Sequence, residues 1–152
     1  MRILLTCLLA LSALVAVAQQ TPATSSPAAM QGYTLTVIVD GVNDQDGNIG
    51  ILVFNSPKGW AEDRSVALKD IIVPAHPGSV TVAIPGLPAG EYALSIAHDV
   101  NKNHKLDRNW IGEPKEQWGI SNDPHAIIKT PSYKSATFTL KQDQTMHVKM
   151  QQ

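Results

Sequence analysis

The part of this 152-residue chain with the clearest chemical pattern is a short run in which oxygen-bearing side chains recur at alternate positions. Asp99, Asn101, Asn103 and Asp107 occupy relative positions 1, 3, 5 and 9, and Lys105 at position 7 offers its backbone carbonyl. This is the spacing of an EF-hand calcium loop, in which a tightly curled segment directs hard oxygen ligands to one centre. The sequence therefore predicts a structural Ca²⁺ site in this run.

The run also departs from the EF-hand pattern. Position 6 is His104, where glycine usually makes the sharp turn, and position 12 is Trp110 instead of a bidentate glutamate. A further carboxylate must come from later in the chain, and Glu116 is the predicted ligand, with Glu113 as the other candidate. The competing interpretation is an Asx-rich turn whose side chains accept hydrogen bonds from their own backbone.

Two tryptophans, Trp110 and Trp118, flank the acidic segment of the same loop. Aromatic rings beside carboxylates can stack on sugar rings, so a carbohydrate-binding module is the alternative function. We expect instead that both rings pack at the end of the fold, because tryptophan is usually largely buried. A glycosidase pair formed by Glu113 and Glu116 is disfavoured, since sequence separation does not fix the distance between two carboxyl groups.

His98, directly before the loop, continues the alternation of Tyr92, Leu94 and Ile96 and is therefore predicted to point into the core. We expect a buried histidine that is hydrogen-bonded to the loop backbone, in preference to a catalytic base. A hydrolase that uses His98 and nearby carboxylates is a distant third function. The chain has no nucleophile elbow and no glycine-rich phosphate loop, so no catalytic set is predicted.

The loop and its flanks resemble a family of small exported bacterial proteins, domain of unknown function 2141. The run HDVNKNHKLDRNWIGEPKEQWGISN is similar to the family signature HD-x-N-x-N-x-x-LD…G-x-P-x-E-x-(aromatic)-G-(apolar)-SN. The segments PGLPAGEYALSIAHD and PSYKSATFTL are similar to the pieces that flank this signature. The resemblance covers about residues 33–150 and implies a secreted or periplasmic β-sandwich of unassigned activity.

Period-two alternation of apolar residues predicts the strands that must position the loop. Such segments occur at residues 33–39, 71–73, 80–84, 92–96, 136–140 and 146–150. Residues 49–54 are apolar on both faces, which predicts a central strand. About seven short strands without a convincing amphipathic helix predict a single antiparallel β-sandwich of immunoglobulin or transthyretin type. We further expect a long irregular loop over residues 99–132 and a hairpin turn at residues 142–144.

The first residues have the layout of a secretory signal peptide. A positive start is followed by an apolar run over residues 3–17 and by the small-x-small site Ala16-Val17-Ala18. We therefore expect cleavage after Ala18 and a periplasmic or secreted protein. Residues 19–32 are rich in Gln, Thr, Ser, Pro and Ala and are predicted to be a flexible linker, which leaves residues 33–152 for the β-sandwich domain.

Composition narrows the expected partners. The formal net charge is −1 and no run of basic residues occurs, which argues against a nucleic-acid partner. The one cysteine lies within the predicted signal peptide, so no disulfide is expected to hold the domain. We expect a non-enzymatic module that presents its calcium loop to a protein or glycan of the cell envelope, with no membrane span after signal removal.

Overall fold

The computed structural model describes residues 32–124 and 130–152. The predicted signal peptide and almost all of the predicted linker therefore lie outside the described residues. In chain order the elements are β1 (Tyr33–Val42), β2 (Asn48–Phe54), β3 (Lys69–Pro74), β4 (Gly78–Leu87), β5 (Gly90–Asp99), β6 (Trp118–Ile120), α1 (Tyr133–Ala136), β7 (Phe138–Leu140) and β8 (Gln144–Lys149). No helix in the described ranges has the length and apolar character needed to cross a membrane.

The strands form two packed sheets, which confirms the predicted all-β sandwich. One sheet has three strands in the order β4-β1-β8, and the other has five, in the order β3-β2-β5-β6 with β7 also paired to β5. The pairs are antiparallel with the exception of β1 and β8, which run parallel with Leu35 opposite Gln144. Residue alternation could not reveal this exception, because both pairing directions give a period of two.

The core lies between the sheets and is built from the alternating apolar residues of each strand. Burying one such aliphatic side chain contributes roughly 1.5–3 kcal/mol. β2 lies between β3 and β5 and is buried on both faces, which confirms the predicted central strand. The residues that contribute most from β1, β2 and β5 are Leu35, Val37, Val39, Ile49, Ile51, Val53, Leu94 and Ile96.

The connections in the C-terminal third differ from the sequence prediction. β7 pairs with β5 whereas β8 pairs with β1, so residues 142–144 pass between the sheets and the predicted hairpin turn is wrong. Ala136, predicted to begin a strand, instead ends the one-turn helix α1, and Ser132 caps this helix by accepting a hydrogen bond from the N–H of Ser135. β6 also interrupts the predicted irregular stretch, since three residues are too few for an alternation to be recognised.

The two sheets meet at β6. Trp118 N–H donates to the carbonyl of Gln151 at 2.9 Å, and Gln151 N–H donates to the carbonyl of Trp118 at 2.7 Å. Gly119 lets β6 approach β8 closely, because a Cβ on this residue would lie 2.9 Å from Cγ1 of Val148. This junction fixes β6 and with it one end of the preceding loop.

The outer face of the five-stranded sheet is covered by the segment between β2 and β3 and by the loop between β5 and β6. Trp60 of the first segment packs edge-to-face on Phe54 and Tyr133, with ring centroids 5.3 and 5.5 Å apart. Its Nε1 donates to the carbonyl of Pro131 at 2.8 Å. The segment between β2 and β3 is therefore a turn-rich cover, and β3 begins at Lys69.

Candidate functional site

The candidate site is the loop that leaves β5 at Asp99 and returns in β6 at Trp118. β5 and β6 are hydrogen-bonded neighbours, and the N–H of His98 donates to the carbonyl of Gln117 at 2.9 Å. The sheet thus holds both ends of the loop together. The residues in between are consequently positioned by a rigid scaffold, as is common for functional loops.

Asp99 organises the first turn of the loop. The residue is 5% exposed, Oδ1 accepts from the N–H of Asn103 at 3.0 Å, and Oδ2 accepts from the N–H of His104 at 2.7 Å. Lys102 and His104 adopt left-handed φ angles of 60° and 62°. His104 therefore has the conformation that glycine provides in an EF-hand loop, at a cost of about 1–2 kcal/mol for a residue with a side chain.

The two asparagine amides converge on Asp107. Asn101 Nδ2 donates to Oδ2 of Asp107 at 2.7 Å, and Asn103 Nδ2 donates to Oδ1 at 3.0 Å. The Oδ1 atom of Asn101 accepts from the N–H of Asn103 at 3.1 Å, and that of Asn103 accepts from the N–H of Lys105 at 2.9 Å. These are successive Asx turns, as in the competing interpretation, and they accompany the contacts of both amides with the carboxylate of Asp107.

Glu116 joins the far end of the loop to the same network. The residue is 7% exposed, Oε1 accepts from the N–H of Val100 at 3.0 Å, and Oε2 accepts from the N–H of Asp107 at 3.0 Å. Glu113 instead accepts from Nδ2 of Asn109 at 2.9 Å in the following turn. Of the two candidate glutamates, the structure therefore places Glu116 beside the predicted ligands.

The network concentrates negative charge. Asp99, Asp107 and Glu116 have no lysine or arginine nitrogen of the described chain within 4.0 Å, and the nearest basic group is Nδ1 of His104, 3.8 Å from Oδ2 of Asp99. Across residues 32–124 and 130–152, no three His, Cys, Asp or Glu side chains are grouped to hold a metal. A cation here would therefore need amide and backbone oxygens as well, which Ca²⁺ accepts.

His98 is buried, as predicted, with 1% of its surface exposed. Its Nε2 lies 2.7 Å from the carbonyl oxygen of Asp46, so Nε2 carries the proton of this hydrogen bond. The carbonyl belongs to the connection between β1 and β2, not to the loop that follows His98 as we expected. Its Nδ1 lies 3.4 Å from Oε1 of Gln117. This burial counts against His98 as the base of a hydrolase.

Gln117 is a positioning residue that the sequence analysis missed. Its Oε1 accepts from the N–H of Asn43 at 2.9 Å, and its Nε2 donates to the carbonyl of Gly41 at 2.9 Å. The side chain thus ties the base of the loop to the end of β1 in the other sheet. The sequence carried no signal for this role, because β6 is too short to be recognised and the burial of Gln117 is seen only in the structure.

Trp110 stands at the tip of a turn that Asn109 braces. Oδ1 of Asn109 accepts from the N–H groups of Ile111 and Glu113 at 3.1 and 2.9 Å. Trp110 is 95% exposed and Ile111 is 52% exposed. The expectation that both loop tryptophans pack in the fold is therefore wrong for Trp110, because the hydrogen-bonded turn holds its residue at the outermost point of the loop.

Trp118 has different surroundings. It is partly buried and packs against a small cluster that contains Ala93, Ile120 and Ala136 on the outer face of the five-stranded sheet. The structure consequently does not show the two tryptophans as one platform. Their sequence context could not separate them, since both follow polar residues of the same loop.

The fold and the loop together define an all-β sandwich module with a polar, hydrogen-bonded loop at the edge of one sheet. A family model described as "Uncharacterized protein conserved in bacteria (DUF2141)" matches residues 37–148. The chain belongs to this family, which confirms the resemblance drawn from its loop motif. No curated protein and no solved structure matches the chain.

Proposed function

We propose that the protein is an exported, non-enzymatic module whose loop between β5 and β6 binds a structural Ca²⁺ ion. The observation that carries this proposal is the connected set of three carboxylates without a lysine or arginine of the described chain within 4.0 Å. The ligands are the side chains of Asp99, Asn101, Asn103, Asp107 and Glu116, together with the carbonyl of Lys105.

Electrostatics favours a cation among these carboxylates. Asp99 and Glu116 are more than nine-tenths buried, where the repulsion between like charges is screened less than in water. A bound divalent cation is the largest local charge in such a site and offsets this repulsion. The neutral amides of Asn101 and Asn103 supply further oxygens without adding negative charge.

The observed hydrogen bonds leave ligand capacity in the loop. Each carboxylate oxygen has two lone pairs, so an oxygen that accepts one N–H can also contact an ion. The amide oxygens of Asn101 and Asn103, which accept from the N–H groups of Asn103 and Lys105, would also hold the ion, and the contacts of their Nδ2 groups to Asp107 would then be exchanged for contacts of Asp107 with the cation. Left-handed backbone at His104 supports this assignment, since it supplies the turn that the EF-hand pattern requires at this position.

Calorimetric titration of the calcium-free protein with Ca²⁺ tests the proposal. We expect one site with an affinity of about 10⁻⁴–10⁻³ M, the range of extracellular calcium modules. A ligand that prefers the folded state raises the melting temperature, by about 5 °C at 10 mM Ca²⁺ for a domain of this size. An absence of heat up to about 10 mM, with identical melting in calcium and in chelator, would overturn the proposal.

Variants separate a specific site from general charge effects. Asp99→Ala and Asp107→Asn are expected to abolish the calcium-dependent rise in melting temperature. Asp63→Asn is the matched control, because Asp63 also accepts a backbone N–H in an Asx turn, from Ser65 at 3.0 Å, in a different loop. A calcium effect that survives in Asp99→Ala would contradict the ligand assignment.

The exposed tip of the same loop supports a role in binding a partner. In the proposal this partner is a protein or a glycan of the cell envelope. An exposed tryptophan on a braced turn offers a large apolar contact without further ordering of the backbone. In the proposal the ion holds the loop in shape and the tip makes the contact. The buried position of His98 supports the non-enzymatic part of the proposal.

A carbohydrate-binding module is the second candidate, and the exposure of Trp110 favours it. A glycan array probed with the protein and with Trp110→Ala and Trp118→Ala tests it. Since Trp118 is packed against the sheet, we expect a signal that is lost in Trp110→Ala and kept in Trp118→Ala. No signal on any glycan counts against this function.

Export is tested by the N-terminus of the mature protein. Expression in a bacterium followed by fractionation and mass spectrometry is expected to find the chain in the periplasm or medium, beginning at Gln19. A chain that retains Met1 and stays in the cytoplasm would contradict the export part of the proposal.

A further inference from the structure

The outer face of the five-stranded sheet forms the floor of a cavity of about 450 Å³. This volume lies within the roughly 300–1,000 Å³ typical of pockets that bind small organic ligands. One wall consists of Ala61, Glu62 and Arg64 from the segment between β2 and β3, and another consists of residues 104–108 from the loop between β5 and β6. The floor residues are Gly50, Leu52, Ser95, Ala97, Trp118 and Ile120.

The strand register explains why the floor is recessed. Gly50 pairs with Ala97, which pairs in turn with Trp118, so a glycine and an alanine lie side by side at the centre of the sheet with an aromatic ring at the edge. The next row places Leu52 beside Ser95. Small residues within a surface of larger apolar ones leave a shallow apolar space that the covering loops enclose.

Two arginines reach this space from opposite walls. Arg64 binds Asp70 through Nε and Nη2, and its Nη1 lies above the floor, 3.7 Å from the position of a Cβ on Gly50. Arg108 donates from Nη1 to the carbonyl of Gly112 at 3.1 Å, and its Nη2 contacts the carboxylate of Glu62. Arg64 lines the cavity, and hydrogen bonds among the described residues do not use its Nη1, so this nitrogen is available to a ligand there.

The acidic residues of the lining are, in contrast, already engaged. Glu62 is paired with Arg108, and both oxygens of Asp99 and of Asp107 accept hydrogen bonds within the loop. On the side of the cavity formed by the segment between β2 and β3, Nη1 of Arg64 is a guanidinium donor above the apolar floor that no hydrogen bond among the described residues uses. A neutral apolar molecule would cover the Arg64 donors without supplying an acceptor, which is unfavourable.

We propose that this cavity binds a small organic anion with an apolar body. The carboxylate of the ligand contacts Nη1 of Arg64, as expected for charge-assisted hydrogen bonds to a guanidinium. The apolar body lies on the Gly50 and Ala97 floor and against the ring of Trp118. This binding site goes beyond the proposed calcium module, with which it shares residues 104–108 of the loop.

Dodecanoate and dodecan-1-ol are a matched pair of probes, because they share the apolar chain and differ in the head group. The purified protein is titrated with each by calorimetry in calcium-free buffer, below the micelle concentration, so that calcium soaps cannot form. We expect a single site for dodecanoate and binding of dodecan-1-ol that is about tenfold weaker, as the loss of one charge-assisted hydrogen bond implies.

Three variants locate the site. Arg64→Met is expected to bind the two probes equally, since it keeps the apolar stem and removes the donors. Ser95→Leu fills the floor and is expected to abolish binding of both, and Ala97→Val is the substitute if Ser95→Leu does not fold. Thr81→Leu makes the same kind of change on the exposed face of β4 and is expected to bind like the unaltered protein.

Each other outcome overturns the proposal. No binding of either probe removes the site. Equal binding of the two probes by the unaltered protein would show that the cavity does not recognise an anion. Binding that survives in a folded Ser95→Leu or Ala97→Val variant would show that the ligand binds elsewhere.

Discussion

The outer faces of the two sheets differ in exposure. On the three-stranded sheet the outer face is exposed and largely polar, with residues such as Thr81 of β4 and Thr145 of β8 in contact with water. On the five-stranded sheet, Leu52 and Ala93 face outward and yet are buried. The first face only closes the core, whereas the second supports the loops that carry the candidate sites.

This contrast is encoded in the residue pattern of the strands. β1 alternates between buried and half-exposed residues, as expected for a sheet with one face towards solvent. Every residue of β2 after Asn48 is buried, so that strand needs a cover on both faces. A strand that is apolar on both faces in a small sandwich therefore indicates where loops fold back onto the sheet.

Truncation of an outward-facing residue on each sheet gives the largest expected difference. Leu52→Ala is expected to lower the free energy of unfolding by about 3 kcal/mol, because it removes a buried side chain and leaves a cavity. Thr81→Ala is expected to change it by less than about 0.5 kcal/mol, since Thr81 is exposed. Urea denaturation of both variants measures the two values, and similar losses would show that the two faces are not distinct.

A substitution in the loop between β5 and β6 is expected to have an intermediate effect on the free energy of unfolding. Glu116→Ala is expected to lower the free energy of unfolding by about 2 kcal/mol, because the N–H groups of Val100 and Asp107 both lose their charged acceptor. Glu113→Ala is the matched control and is expected to lose less than about 1 kcal/mol, since Glu113 accepts from one side-chain amide near the surface. Equal losses in the two variants would contradict the role assigned to Glu116.

The smallest expected effect on the free energy of unfolding comes from Asp40 on the exposed face of the three-stranded sheet, and this effect depends on pH. Ser79 Oγ donates to Oδ1 of Asp40 at 2.6 Å, and Nδ1 of His147 lies 2.7 Å from Oδ2. The hydrogen bond from Ser79, followed by that from His147, lowers the pKa of Asp40 below its ordinary value of 3.8. A lowered folded-state pKa stabilises the fold above the ordinary value and this contribution is lost as the pH falls through the folded-state value.

Asp40→Asn and Ser79→Ala test this contribution by denaturation between pH 6 and pH 2.5. We expect a difference from the unaltered protein of less than about 0.5 kcal/mol at pH 6, because solvent screens an exposed pair. The difference for Asp40→Asn should shrink below pH 4. A constant difference over the whole range would show that the ionisation of Asp40 does not contribute.

The β-sandwich could be predicted from the sequence because the alternation that identifies each strand is a local pattern. Alternation in residues 33–39 and 80–84 identifies strands with one buried face, and each prediction concerns neighbours along the chain. The pairing of β8 with β1 and of β7 with β5 could not be predicted in this way. Both choices depend on which sheet edge is free after the other strands have assembled, and residues 142–144 carry a turn signal in either case.

The sequence predicted which residues form the candidate site better than it predicted the contacts that these residues make. The spacing from Asp99 to Asp107 identified residues that the structure joins in one network, and Glu116 was a candidate from its type and position. The difference between Trp110 and Trp118 was not predictable, because it arises from the Asn109 turn and the β6 pairing, which act over distances that spacing does not describe.

The parallel pairing of β1 with β8 has a consequence for how the protein is made. The partner of residues 35–40 on one side is supplied by residues 144–149, at the opposite end of the chain. Contacts so distant in sequence form late and slow the folding of β proteins. A nascent chain leaves this edge of β1 unpaired until residues 144–149 have been synthesised, so the three-stranded sheet can be completed only after that point.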